Sequence, residues 1–112
     1  MFTLTKSYDF SASYSSGDRV IAHNYRLTAD FKNIPEALER DLDAKIQNVL
    51  IRKVHSRDLG QDVDFLRGIS LSDTALLKAF WPLIATSAVP GKLLSLSLER
   101  DARTRWTLTE TP

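Results

Sequence analysis

Apolar and polar side chains alternate from Phe2 to Tyr14. Phe2, Leu4, Tyr8, Phe10, Ala12 and Tyr14 share the even positions with Lys6, and Thr3, Thr5, Ser7, Asp9, Ser11 and Ser13 hold the odd ones. A period of two predicts a strand with one face on a core. Its length predicts a bend or bulge within it. Ser15-Ser16-Gly17-Asp18 is a turn signal. From Val20 to Phe31 the apolar groups move to odd positions (Ile21, Tyr25, Leu27, Ala29, Phe31), and His23 falls on that same face. Two such runs across a short polar turn predict an antiparallel hairpin.

The period then changes. Ile34, Leu38, Leu42, Ile46, Val49 and Leu50 recur every three or four residues, the stripe of an amphipathic helix. Asn33 is its predicted N-cap. Pro35 stands early, where its missing N–H costs little. Residues 55–68 are polar and irregular. A second helix is predicted to begin near Ser70–Asp73, with Ser70 and Asp73 at capping-box spacing. Leu76, Leu77, Phe80, Leu83 and Ile84 form its apolar side, and Pro82 is expected to kink or shorten it. After the Pro90-Gly91 turn, Leu94, Leu96 and Leu98 alternate with Ser95, Ser97 and Glu99. Asp101-Ala102 marks a tight turn, and Trp106 and Leu108 lie on one face of a last strand.

The order is strand, strand, helix, helix, strand, strand. It predicts one α+β domain over residues 1–112, a four-stranded antiparallel sheet with two helices on one face. Open sheet edges are hazardous in a monomer, so the edges are expected to pair between subunits and close a barrel in a symmetric homo-oligomer.

Composition narrows the chemistry. Among 112 residues, 43% are hydrophobic and 26% charged, with fifteen Lys and Arg against fourteen Asp and Glu. A formal charge of +1 gives no support to nucleic-acid binding through bulk charge. The absence of cysteine excludes disulfides, thiolate nucleophiles and Cys-based zinc sites. No apolar run approaches the roughly 20 residues of a membrane span, and the start lacks the pattern of a signal peptide, so a cytoplasmic protein without membrane partners is expected.

Few residues are candidates for chemistry. His23 is either a packed, hydrogen-bonded histidine or a metal ligand, and Ile21, two residues away on its face, cannot ligate. His55, near Arg52 and Lys53, is either a general base or a solvated histidine at a helix C-terminus. Glu99 ends a Leu/Ser strand. A carboxylate there can accept two parallel N–H bonds from a heterocycle with a 2-amino group beside a ring N–H, or can pair with Arg100 or Arg103. No nucleophile elbow or Gly-rich phosphate loop is present.

Several segments together carry a family resemblance. Phe10-Ser11-Ala12-Ser13-Tyr14 resembles the Phe-x-Ala-Ala-His that opens the 6-pyruvoyltetrahydropterin and 6-carboxytetrahydropterin synthases. Ala22-His23-Asn24-Tyr25 resembles the end of their His-Gly-His-Asn-Tyr. VHSRDLG resembles their Leu-Asp-His-Arg-x-Leu-Asn. DFLRGISLSDTALLKAF resembles the linker and helix bearing Asn-Pro-Thr-x-x-Glu-Asn-Leu, and LSLSLER resembles the closing strand that ends in Glu-Thr.

The resemblance implies the tunnelling fold, a trimeric or hexameric barrel, and pterin-type sites between subunits. The family binds zinc through three histidines. Their positions here hold Tyr14, Ile21 and His23, so no family-type metal and no cofactor are expected. The family's cysteine is missing. Its Asp-His pair appears as His55-Ser56, or with His55 in the histidine role after a one-residue slip. Ser72 matches a hydroxyl that contacts the pterin, and Glu99 matches the glutamate that anchors it.

Three functions follow. The first is pterin-type ligand binding at a zinc-free interface site, allowing metal-free acid–base chemistry with His55 as base, Glu99 as anchor, and Tyr14 and His23 lining the former metal pocket. The second is a zinc-dependent synthase of the lyase type. The third is a scaffold that keeps only the fold.

Overall fold

A computed structural model describes residues 2–110. Strands β1 (Thr3–Ser16) and β2 (Arg19–Lys32) form the predicted hairpin, in unbroken register from Thr3↔Lys32 to Ser16↔Arg19. Gly17 and Asp18 make the two-residue connection. Gly17 takes a φ of 61°, which glycine adopts without a Cβ penalty.

No bulge interrupts β1 in its pairing with β2; one lies instead in the pairing of β2 with β4 (Lys92–Arg100). There Asp30 faces Ser95 while Phe31 faces Leu93, so Leu94 is the extra residue of a bulge. The bulge moves Leu93 rather than Leu94 into line with buried Leu96 and Leu98. Strand β5 (Thr104–Thr109) pairs antiparallel with β4.

The sheet has five strands where four were expected. Arg57–Asp58 forms a two-residue strand, β3, parallel to β1 at Ala12 and Ser13, giving the order β3-β1-β2-β4-β5. Two residues are too short for a periodic signal. The segment around them is also less polar inside than its composition suggests, because Leu59, Val63 and Leu66 are buried.

Both helices lie on one face. The first occupies residues 39–54: an α segment Glu39–Ile46, a π turn Gln47–Ile51 and a final α turn Arg52–Val54, preceded by a 3-10 turn at Glu36–Leu38. Pro35, not Asn33, occupies the cap position. Asn33 takes a left-handed φ of 60°, a region asparagine tolerates better than most residues. The π turn adds a residue to the helical period, so Leu50 and Ile51 are both buried.

The second helix, Asp73–Ala88, is capped by Ser72, whose hydroxyl accepts from the Ala75 N–H at 3.2 Å; Ser70 lies outside it. It runs on past Pro82 without being cut short.

Tyr8, Phe10, Tyr25, Leu27 and Phe31 of the sheet pack with Leu42, Ile46, Leu50, Leu76, Phe80 and Ile84 of the helices in one core. At about 25 cal/mol per Å², burying each such side chain contributes roughly 1.5–3 kcal/mol. Phe10 stacks on Tyr25 at 5.0 Å between ring centroids and meets Phe80 edge-on at 6.3 Å.

The opposite face of the sheet carries cross-strand polar pairs: Ser7 with Thr28, Ser97 with Thr107, and Arg26 with Asp9. None of the described helices is long and apolar enough to cross a membrane.

Candidate functional site

Glu99 projects from the polar face of β4. Its register neighbours are Arg26 on β2 and Arg105 on β5. Arg105 donates from Nη2 to Oε2 of Glu99 at 3.1 Å, and Arg26 is drawn to Asp9 by a 2.8 Å Nε–Oδ1 bond. The Glu99 side chain is 22% exposed. Its Oε1 makes no hydrogen bond among the described residues.

A cavity of about 650 Å³ opens over this face, bordered by Glu99, Arg26, Asn24, Ser11, Asp101 and His55. His55 reaches it from the end of the first helix. Its Nδ1 accepts the backbone N–H of Ser11 at 3.1 Å, and the next N–H, that of Ser56, donates to the Ser11 carbonyl. The Ser11 hydroxyl lies 2.6 Å from Oδ1 of Asn24. A second cavity of about 480 Å³ shares Ser11, Asn24 and Asp101 with the first and is bordered by His23 and Arg57 as well.

Tyr14 and His23 point the other way. Tyr14 is buried on the helix side. Burial, and secondarily the Asp73 carboxylate, raises its phenol above the usual range. His23 meets Tyr25 edge-on at 5.7 Å, and its Nδ1 lies 2.5 Å from Oδ2 of Asp101. That hydrogen bond, aided by the Asn24 backbone N–H, holds the Asp101 carboxyl below its ordinary range. Tyr25, 2% exposed, has a hydroxyl with no partner among the described residues, and burial drives its ionisation strongly upward.

Below it, Arg100 donates from Nε to Oδ2 of Asp73 at 2.8 Å, joining the end of β4 to the first turn of the second helix. Ser72, beside Asp73, spends its hydroxyl on the helix cap.

A three-histidine metal set does not fit these residues. Tyr14, Ile21 and His23 stand at the positions that the resemblance gives to the three histidines, and Ile21 has no donor atom. No group of three or more His, Cys, Asp or Glu able to hold a metal occurs among the described residues.

No protein-family model matches the chain, and no curated protein sequence does. Solved structures do. The 6-pyruvoyl tetrahydropterin synthase of Caenorhabditis elegans superposes with a TM-score of 0.75 at 16% identity, over 98% of this chain and 96% of that one. An uncharacterized protein from Wolinella succinogenes superposes with a TM-score of 0.66 at 9% identity, over 98% of each chain.

The chain has the tunnelling fold. Within that fold, Glu99 and His55 come together at one cavity from β4 and from the end of the first helix. Tyr14 and His23 lie on the helix side of the sheet, and Ser72 lies at the helix cap. Sequence reasoning gave no role to Ser11, Asp101 or the Asp73–Arg100 pair. The only advance signal was that Ser11 and Asn24 alternate onto the polar face.

Proposed function

We propose that this chain binds a flat, nitrogen-rich heterocycle of the pterin type, without a three-histidine zinc. The supporting observation is that Glu99, with one oxygen free of hydrogen bonds among the described residues, shares a 650 Å³ cavity with His55. That volume lies within the roughly 300–1,000 Å³ of small-molecule pockets. A carboxylate in this place accepts paired N–H bonds from a 2-amino group and the adjacent ring N–H.

Tyr14, His23 and Ser72 belong to the proposal as residues of a site that a neighbouring subunit completes. The outer edge of β5, and the edge of β1 over residues 3–10, carry no strand among the described residues. Pairing these edges head to tail builds a closed ring, a trimer or a stacked hexamer. Acid–base chemistry on the bound ring belongs to the same reading.

The Glu99–Arg105 pair favours a second reading, a scaffold that keeps the fold alone. Calorimetric titration with neopterin-like compounds separates the two. Saturable heat that is lost in Glu99→Ala supports the pterin site. No heat at millimolar ligand, with Glu99→Ala indistinguishable from wild type, discards it. Zinc near one equivalent per chain, lost in His23→Ala, would establish the zinc-enzyme alternative instead.

A further inference from the structure

We infer that His55 meets the ligand as a hydrogen-bond donor through Nε2, reading a carbonyl oxygen, in place of the base role that acid–base chemistry would give it; this rests on the ligand-binding part of the pterin reading above. Ser11 faces Asn24 across the β1–β2 ladder. Its N–H and C=O both leave the edge of β1 toward the segment that follows the first helix, where the C=O accepts from Ser56 and the N–H donates to Nδ1 of His55. A backbone amide can only donate. Nδ1 must therefore present its lone pair, and a neutral imidazole then carries its single proton on Nε2.

Nε2 has no partner among the described residues, and His55 is exposed and borders the cavity. The lone pair that a base would use is already spent on the strand edge. What remains is an N–H. A free group of the opposite kind borders the same cavity, the acceptor Oε1 of Glu99. The cavity is polarised, donor at His55 and acceptor at Glu99. It selects a ring that offers N–H groups on one edge and a carbonyl on another, as a 2-amino-4-oxopteridine does and a 2,4-diaminopteridine does not.

The test compares these two pteridines on wild type and on His55→Asn. The Oδ1 of asparagine can replace Nδ1 as acceptor for the Ser11 N–H, while nothing replaces Nε2–H. Wild type is expected to prefer the oxo compound. His55→Asn is expected to lose about tenfold in affinity for it, the scale of one hydrogen bond, with the diamino compound unaffected. Slow exchange of the Ser11 amide in His55→Asn, against fast exchange in His55→Ala, shows that the edge stays intact in the variant used.

An undiminished preference in His55→Asn overturns the donor role and leaves the pterin site standing; equal binding of both pteridines by wild type overturns the donor role together with the paired contact at Glu99, because the diamino ring lacks the ring N–H beside its 2-amino group. Binding of neither overturns the ligand class and this inference together. Nitrogen NMR of the free protein gives a ligand-independent check: a proton on Nδ1 of neutral His55 overturns the inference by itself.

Discussion

Arg105 reaches across the β4–β5 ladder to place Nη2 3.1 Å from Oε2 of Glu99, occupying one oxygen of the carboxylate proposed to hold the ligand. Exposed ion pairs of this kind contribute about 0.2–1 kcal/mol. Ligand and arginine compete for the same group. Arg105→Ala is therefore expected to tighten pteridine binding by up to about fivefold in calorimetry, whereas Glu99→Ala abolishes it. Weaker binding in Arg105→Ala would make the arginine part of the site.

Acid should weaken the fold through Asp101. Its carboxyl is held below the ordinary range by His23, so its contribution is fully present above the unfolded carboxylate value of about 4 and disappears as pH falls through the lower folded value. Asp9, lowered by Arg26, acts in the same direction. Melting temperature followed below about pH 4 should fall less steeply in Asp101→Asn than in wild type. Identical acid limbs would show that the His23 contact has no thermodynamic weight.

The free edge at β5 leaves Trp106, on the helix-side face, 50% exposed. A charge placed there opposes strand addition. Trp106→Lys is expected to shift sedimentation velocity from the trimer or hexamer to a single subunit while far-ultraviolet dichroism stays unchanged. A wild-type chain that already sediments as one subunit would remove the interface from the proposal.

The Tyr25 hydroxyl is buried without a partner among the described residues, which costs free energy that a phenyl ring does not incur. Urea unfolding of Tyr25→Phe is expected to show a gain of up to about 1 kcal/mol. A loss of similar size would mean that a water or a ligand satisfies the hydroxyl.

Ala102, which borders the ligand cavity, takes a φ of 58° in the β4–β5 turn. An L side chain there costs roughly 1–2 kcal/mol, partly offset by the greater chain entropy that glycine brings to the unfolded state. Ala102→Gly should be about 0.5–1 kcal/mol more stable in the same assay. A less stable variant would show that the methyl group packs against something the turn needs.

The amino-acid sequence alone determined the hairpin, both helices and the last two strands, with their apolar faces except at Leu93 and Leu94, because those depend on periods of two and of about 3.6 that one chain segment displays by itself. It also places an isoleucine, which has no donor atom, at position 21 whatever surrounds it.

Only the tertiary structure decided the rest. The two-residue strand at Arg57–Asp58, the bulge at Leu94 and the cap at Ser72 rest on which backbone groups find partners, and such pairing leaves no periodic trace. The sequence suggested Arg100 or Arg103 as the partner of Glu99, where the structure has Arg105, and it gave no sign of the partner of His55. Arg105 follows Glu99 by six positions but meets it through a turn, and Ser11 meets His55 from a different element altogether. A side chain's chemistry is written in its residue type. The proton it carries, and the charge it faces, belong to the neighbours that folding brings to it.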